Sequence, residues 1–284
     1  MNPEFIRTIC PYCGTGCGIV LKVEDGRTAA SYPDRENPVS RGSLCVKGWF
    51  SHEFVHHPER LTAPLLRKGD AFVEISWEEA IDLAARKLRE TASTYGPDSV
   101  GGLSSAKCTN EENYLFQKLI RAAFRTNNVD HCARLCHAAT TVGMLQTLGS
   151  GAMTNSISDL AGADCILFIG SNAAESHPVL MGEVYKALDR GAKMFVIDPR
   201  ETPVARNARK LLRLNPGTDI PLLAGMMRHV VDSGLHRKDF IEKRTENFEA
   251  LRTFLQAWPL DKVSKETGID EATIREVAET YAKA

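Results

Sequence analysis

Three cysteines stand within eight consecutive positions of this 284-residue chain, as Cys10-x2-Cys13-x3-Cys17, and a fourth, Cys45, follows 28 residues later. Eight cysteines in all are many for an intracellular chain, where disulfides are rare. Tight, uneven clustering of four of them points to metal before it points to disulfides. Iron–sulfur cubanes take four thiolates, commonly three from a compact run and one from a distance. Structural zinc prefers two Cys-x2-4-Cys knuckles, and the second knuckle is missing here. An iron–sulfur cluster is therefore the favoured reading, with a zinc site or unligated buried cysteines as the alternatives. Gly14, Gly16 and Gly18 interleave the thiols, as tight turning and close backbone approach to a cluster require. Lys47 lies two residues past Cys45 and, by itself, reads as a solvated surface lysine.

Charge and hydropathy exclude two broad classes. Lys+Arg 35 against Asp+Glu 36 give a net charge of -1, which offers nucleic acid no electrostatic footprint. No apolar run approaches the roughly 18–20 residues of a membrane span; the purest is Cys165–Ile169. Met1 to Thr8 has no basic n-region, apolar h-region or twin arginine, so a cytoplasmic location is expected.

The pattern changes along the chain. To about His57 it is β-rich: Gly18–Val23 alternates, Asp25-Gly26 is a hairpin-type turn, and Arg27–Tyr32 returns. A second hairpin is predicted around Gly69-Asp70. From Ser76 helices and strands alternate. Ser76 with Glu79 and Thr109 with Glu112 spell capping boxes. The first opens a helix with Ala80, Ile81, Ala84 and Leu88 on its apolar face, and the second a helix to about Arg125. Val100–Leu103 is a short strand candidate, and Arg134–Leu148 a helix. Strands at Cys165–Ile169, Met194–Ile197 and Lys210–Leu214 alternate with helices from Pro178, from Asp219 and, last, from Glu271. Such alternation predicts an α/β fold with a parallel sheet covered by helices.

Two groups of residues carry further chemistry. In His131-Cys132-Ala133-Arg134-Leu135-Cys136-His137, a thiol beside a histidine and an arginine suits a nucleophile or soft-metal ligand, or a plain packed thiol. The three later strands end in Gly170-Ser171-Asn172, Asp198-Pro199-Arg200 and Asn215-Pro216-Gly217-Thr218-Asp219. Glycine and short polar residues at that edge, next to helix N-termini, suit a phosphate-bearing ligand. They also suit simple caps and turns. No G-x-G-x-x-G or Walker A run is present, which disfavours plain NAD binding and ordinary nucleotide hydrolysis.

Assembled in order, these segments resemble the molybdopterin oxidoreductases that carry a molybdenum or tungsten bis(molybdopterin guanine dinucleotide) centre, and most of all formate dehydrogenase catalytic (alpha) subunits. The residues that carry the resemblance are Cys10-Pro11-Tyr12-Cys13-Gly14-Thr15-Gly16-Cys17, Cys45-Val46-Lys47-Gly48 and His57-Pro58-Glu59-Arg60-Leu61. Lys107 through Asn113, Asn127 through His137, Asp198-Pro199-Arg200 and Gly217-Thr218-Asp219 complete it.

The resemblance implies a small N-terminal β-rich 4Fe–4S domain over 1–58 and a Rossmann-like parallel-sheet α/β region over 59–284, with 150–235 its dinucleotide-binding-like part. Full-length family members continue past this chain, so the region is expected to be incomplete. Their substrate arginine and much of the second pterin's site lie in that further part. Cys10, Cys13, Cys17 and Cys45 would hold the 4Fe–4S cluster. Lys47 would lie between cluster and nearer pterin. Cys136 falls where the family places its metal ligand, and His137 matches the active-site histidine of formate dehydrogenases. Asn172, Glu175, Ser176, Asp198, Arg200, Gly217 and Asp219 match pterin guanine dinucleotide contacts, whereas Cys108, Cys132 and Cys165 match no ligand role and read as packing.

The implied activity is interconversion of formate and carbon dioxide, with electrons leaving through the cluster to a ferredoxin-like, flavin or deazaflavin, or NAD-linked subunit. Rival readings are a nitrate reductase or formylmethanofuran-type dehydrogenase of the same superfamily, and a non-catalytic electron-transfer fragment. Nitrate reductases usually have methionine where this chain has His137.

Overall fold

A computed structural model describes residues 2–284, and its first elements form a three-stranded sheet. Strands β1 (Glu4–Ile9), β2 (Gly18–Glu24) and β3 (Arg27–Pro33) lie in the order β1-β2-β3. Asp25 and Gly26 both have positive φ, as a two-residue type I′ turn demands, so β2 and β3 form the expected hairpin. Strand β1 was not predicted: all six residues are exposed, so no buried face imposes an alternating pattern. After α1 (Val46–Trp49), the second hairpin pairs β4 (Leu65–Lys68) antiparallel with β5 (Ala71–Glu74).

The chain divides into two compact units. The first comprises residues through Tyr12, Val20–Tyr32 and Val46–Thr154; the second comprises Cys13–Ile19, Pro33–Cys45 and Asn155–Ala284.

In the first unit, α2 (Trp77–Tyr95) starts where Ser76 Oγ accepts the Glu79 N–H at 3.1 Å. Its apolar face stays open: Ile81 is 62% and Leu88 40% exposed, although periodicity marked that face for packing. A short parallel pair, β6 (Gly102–Ser104) and β7 (Val129–His131), follows, with Ser104 opposite His131. Between them α3 (Asn110–Lys118) opens with the predicted Thr109–Glu112 capping box and passes into a π-helical turn at Leu119–Ala123. The predicted helix over Arg134–Leu148 is two helices, α4 (Ala133–Cys136) and α5 (Ala138–Leu148), broken at His137, whose φ of -147° is not helical.

The second unit holds the larger core. Strands β8 (Cys165–Ile169), β9 (Lys193–Ile197) and β10 (Lys210–Leu212) form a parallel sheet in the order β10-β9-β8. Around it run α6 (Ala173–Ser176), α7 (Pro178–Asp189), α8 (Asp219–Asp232), α9 (Lys238–Arg244), α10 (Phe248–Leu255), α11 (Leu260–Thr267) and α12 (Glu271–Ala282). Central β9 is buried on both faces, as a parallel sheet between helices requires. Met194 and Val196 pack with Met181, Val184 and Ala187 of α7. Phe195 and Ile197 pack on the opposite side with Leu222 and Met226 of α8, Val263 of α11, and Ile274, Val277 and Ala278 of α12. The period of two divides one strand between two cores. No helix among the described residues is long and apolar enough to cross a membrane.

Candidate cofactor sites

None of the eight cysteines is joined in a disulfide. Cys17 is buried, and Cys10, Cys13 and Cys45 are half-buried. The loop from Cys13 to Cys17 folds around the buried Thr15, whose Oγ1 accepts from Cys13 Sγ at 3.3 Å. Gly16 has φ +79°, a conformation that favours glycine, and a Cβ at Gly14 or Gly16 would meet nothing within 4 Å. Gly18 differs: its N–H donates to Ser40 Oγ at 3.3 Å and its carbonyl accepts from the Asp34 N–H at 3.0 Å. These bonds tie the cysteine loop to the turn that leads on to Cys45. Cys45 directly precedes α1, which carries the half-buried Lys47.

Among the described residues, no three His, Cys, Asp or Glu side chains are gathered as a single-ion site. A cubane makes a different demand, because each of its four irons takes one cysteine. The donor set is all sulfur, with Gly14, Thr15 and Gly16 between Cys13 and Cys17, and this chemistry fits a cluster.

The second candidate region lies at the end of β7. Cys132 caps α4, and the Cys136 N–H donates to its carbonyl at 3.2 Å, so the two cysteines stand one helical turn apart. Arg134 Nε donates to Asp130 Oδ2 at 2.6 Å. That bond, with the His131 N–H, holds the Asp130 carboxyl below its usual range. Cys136 and His137 are both exposed, and His137 Nδ1 meets Thr141 Oγ1 at 2.9 Å. The helix break thus presents a thiol and an oriented imidazole side by side. The packing expected of Cys108 and Cys132 is not found, since both are exposed; Cys165 does pack, and burial raises its thiol pKa.

The third region is the C-terminal edge of the sheet of β8, β9 and β10. Because the strands are parallel, the segments that follow all three leave by this edge, the usual ligand site of open α/β sheets. Asn172 Nδ2 donates to Glu175 Oε2 at 2.7 Å, and Ser176 Oγ donates to the Asn172 carbonyl at 2.9 Å. Asp198, only 6% exposed, accepts the Arg200 N–H on Oδ1 at 2.8 Å. Gly217 and Asp219 stand at the turn into α8. Two buried oxygens here have no hydrogen-bond partner: Asn172 Oδ1 and Thr202 Oγ1. Unpaired buried polar atoms are rare, and their position at the ligand edge fits a bound group bearing hydrogen-bond donors, such as a guanine base. Sequence reasoning missed Thr202; the signal was a threonine four residues after Asp198, at the next turn.

Comparison with known proteins agrees with this division. A family model described as molybdopterin oxidoreductase Fe4S4 domain matches residues 3–57, and one described as molybdopterin oxidoreductase matches residues 60–268. The chain is 49% identical over its whole length to F420-dependent formate dehydrogenase 1 subunit alpha of Methanococcus maripaludis, and spans 42% of that protein. It is 45% identical, again over its whole length and 42% of the relative, to F420-dependent formate dehydrogenase subunit alpha of Methanocaldococcus jannaschii. Among solved structures, acetylene hydratase from Pelobacter acetylenicus superposes with a TM-score of 0.78 at 29% identity, over 97% of this chain and 38% of that one. The chain therefore spans under half the length of these relatives. With a family model covering most of its residues, it belongs to the molybdopterin oxidoreductases, with their Fe4S4 domain and molybdopterin-binding fold.

Proposed function

We propose that this chain is the cluster-bearing and cofactor-bearing part of a formate dehydrogenase catalytic subunit, interconverting formate with carbon dioxide, a proton and two electrons. The observation that carries the reading is the Cys136–His137 pair at the α4–α5 break, with the ring held by Thr141. The names and identities of the methanogen relatives support it. Residues 1–58 are read as the 4Fe–4S domain and 59–284 as the molybdopterin region, with 150–235 its dinucleotide-binding-like part.

A molybdenum or tungsten bis(molybdopterin guanine dinucleotide) centre would supply the two-electron chemistry. Cys136 offers that metal a thiolate. The bond at His137 Nδ1 leaves Nε2 to orient formate or take up its proton. Asn172, Glu175, Ser176, Asp198, Arg200, Gly217 and Asp219 would hold a guanine dinucleotide at the sheet edge, with Thr202 contributing its unpaired hydroxyl. Cys10, Cys13, Cys17 and Cys45 would hold the cluster, and Lys47 would serve the electron path beside it. A separate subunit would accept the electrons, and the relatives' names favour an F420-linked acceptor over a ferredoxin-like or NAD-linked one. Four cysteines in a cluster motif support a reducing, cytoplasmic setting.

The test uses the protein purified anaerobically together with the polypeptide its relatives carry beyond these 284 residues. About four irons with sulfide, plus molybdenum or tungsten, are expected, along with viologen-linked formate oxidation. His137→Gln should keep the metals and lower kcat by about 10²–10⁴-fold. Zinc without iron would overturn the cluster assignment, and nitrate reduction without formate oxidation would overturn the substrate. Iron and sulfide without pterin would leave only an electron-transfer module.

A further inference from the structure

We propose that Cys108 and Cys132 are a redox-active pair that closes to a disulfide under peroxide, joining the two loops that leave the β6–β7 sheet. The parallel register sets Ser104 of β6 opposite His131 of β7. Both chains therefore leave by the same edge, in strands that stand about 4.8 Å apart. Cys132 is the first residue past β7, and its sulfur accepts the Ala106 N–H at 3.4 Å. The loop past β6 then folds back on itself, because the Cys108 N–H donates to the Ser105 carbonyl at 3.2 Å. Such a turn brings its first and fourth Cα atoms within about 7 Å. Cys132 is thus already seated on the turn that carries Cys108, and both thiols are exposed.

A disulfide needs Cα atoms about 4.4–6.8 Å apart, a separation two adjacent loops reach by closing, with β6 and β7 still paired. The chemistry is a two-electron oxidation. One thiolate attacks a peroxide oxygen, the O–O bond breaks, and hydroxide leaves a sulfenic acid behind. The second thiol attacks that sulfur, the S–S bond forms, and water departs. Two thiols lose two electrons and two protons, and one peroxide becomes two waters. Cys136 and His137 lie within five residues of Cys132 on the same segment, so the link restrains the segment that presents them.

The disulfide is read on the thiols themselves, independently of formate turnover. The anaerobically purified full-length protein is treated with equimolar hydrogen peroxide, alkylated, digested and mapped by mass spectrometry. The expected product is a peptide pair joined through Cys108 and Cys132, two hydrogens lighter than the separate peptides and absent from C108S and C132S. Activity lost by the parent on treatment should return in part with dithiothreitol, and C108S should lose that recoverable part while keeping its untreated activity. Alkylated or sulfinic Cys108 and Cys132 without a link would overturn the pairing. A dominant Cys132–Cys136 link would also overturn it. The mapping on unsubstituted protein decides the matter even if a variant fails to fold.

Discussion

Replacing Gly18 by alanine tests how the loop of three thiols is joined to the turn before the fourth. A Cβ at Gly18 would lie 2.5 Å from Asn37 Cβ and 2.9 Å from its Cγ and Nδ2, closer than side-chain atoms approach. Asn37 cannot retreat cheaply, because its Oδ1 accepts from the Val39 N–H at 3.0 Å, the Ser40 N–H at 2.9 Å and Ser40 Oγ at 3.2 Å. Forcing a methyl into such a site costs about 1–3 kcal/mol. Losing two of the three hydrogen bonds adds about 1–3 kcal/mol more. The expected penalty is therefore roughly 2–6 kcal/mol, or about 2–4 °C in Tm per kcal/mol for a unit of this size. Thermal unfolding of the metal-free protein reads the penalty directly, and iron and sulfide content after anaerobic reconstitution reads its effect on the cluster. Gly14→Ala is the control, since its Cβ meets nothing within 4 Å. It should leave the metal-free protein within about 0.5 kcal/mol of the parent. If Gly18→Ala melts within a degree of the parent and loads the same iron, the argument that this contact braces the cluster loop is wrong.

Thr202→Val keeps the side chain's shape and removes a buried hydroxyl that has no partner. The cofactor-free protein should gain about 1 kcal/mol in thermal unfolding while retention of the guanine dinucleotide falls; a lowered Tm would refute the assignment. Phe195→Ala, at a side chain with no exposed surface in the core under α8 and α12, should cost about 3–5 kcal/mol by denaturant titration. Glu276 is held below its ordinary pKa first by Lys210 Nζ at 2.7 Å and then by Arg209. A depressed carboxylate stabilises the fold above its unfolded pKa and loses that contribution as pH falls through the folded value. Glu276→Gln should thus cost a few tenths to about 1 kcal/mol at neutral pH, and the gap should close on acidification; an undiminished gap at low pH would refute it.

The second unit was the most legible, because its strands are short apolar runs between turn residues and both faces of β9 must be filled. The Asn172, Asp198 and Gly217 positions followed from those strands, since parallel strands end on a common edge. Where burial is one-sided or absent the pattern falls silent. Strand β1 was invisible for want of a buried face, and β7, read from Val129-Asp130-His131 alone, is too short to show a period. The break at His137 was hidden because apolar residues continue across it at helical spacing, although the local conformation of that one residue separates α4 from α5. The four-cysteine signature stood out at once, but its attachment through Gly18, Asn37 and Ser40 depends on a close approach that no spacing reveals.

Consider finally the order in which the second unit can come into being. The core between β9 and α8 is filled by Val263, Ile269, Ile274, Val277 and Ala278, and Lys210 and Arg209 reach forward to Glu276. A ribosome that has delivered the three strands and α8 has therefore made a sheet with one greasy side only partly covered, well before α11 and α12 arrive to complete the cover. Contacts so distant in sequence form late, and during that interval the nascent chain is open to aggregation and to chaperones. The nucleotide edge, built from the same strands, gains a rigid floor only after α12 has been made. Pulse-labelled intermediates halted before Val263 should accordingly be protease-sensitive across β8–β10, whereas those extended through Ala278 should be protected.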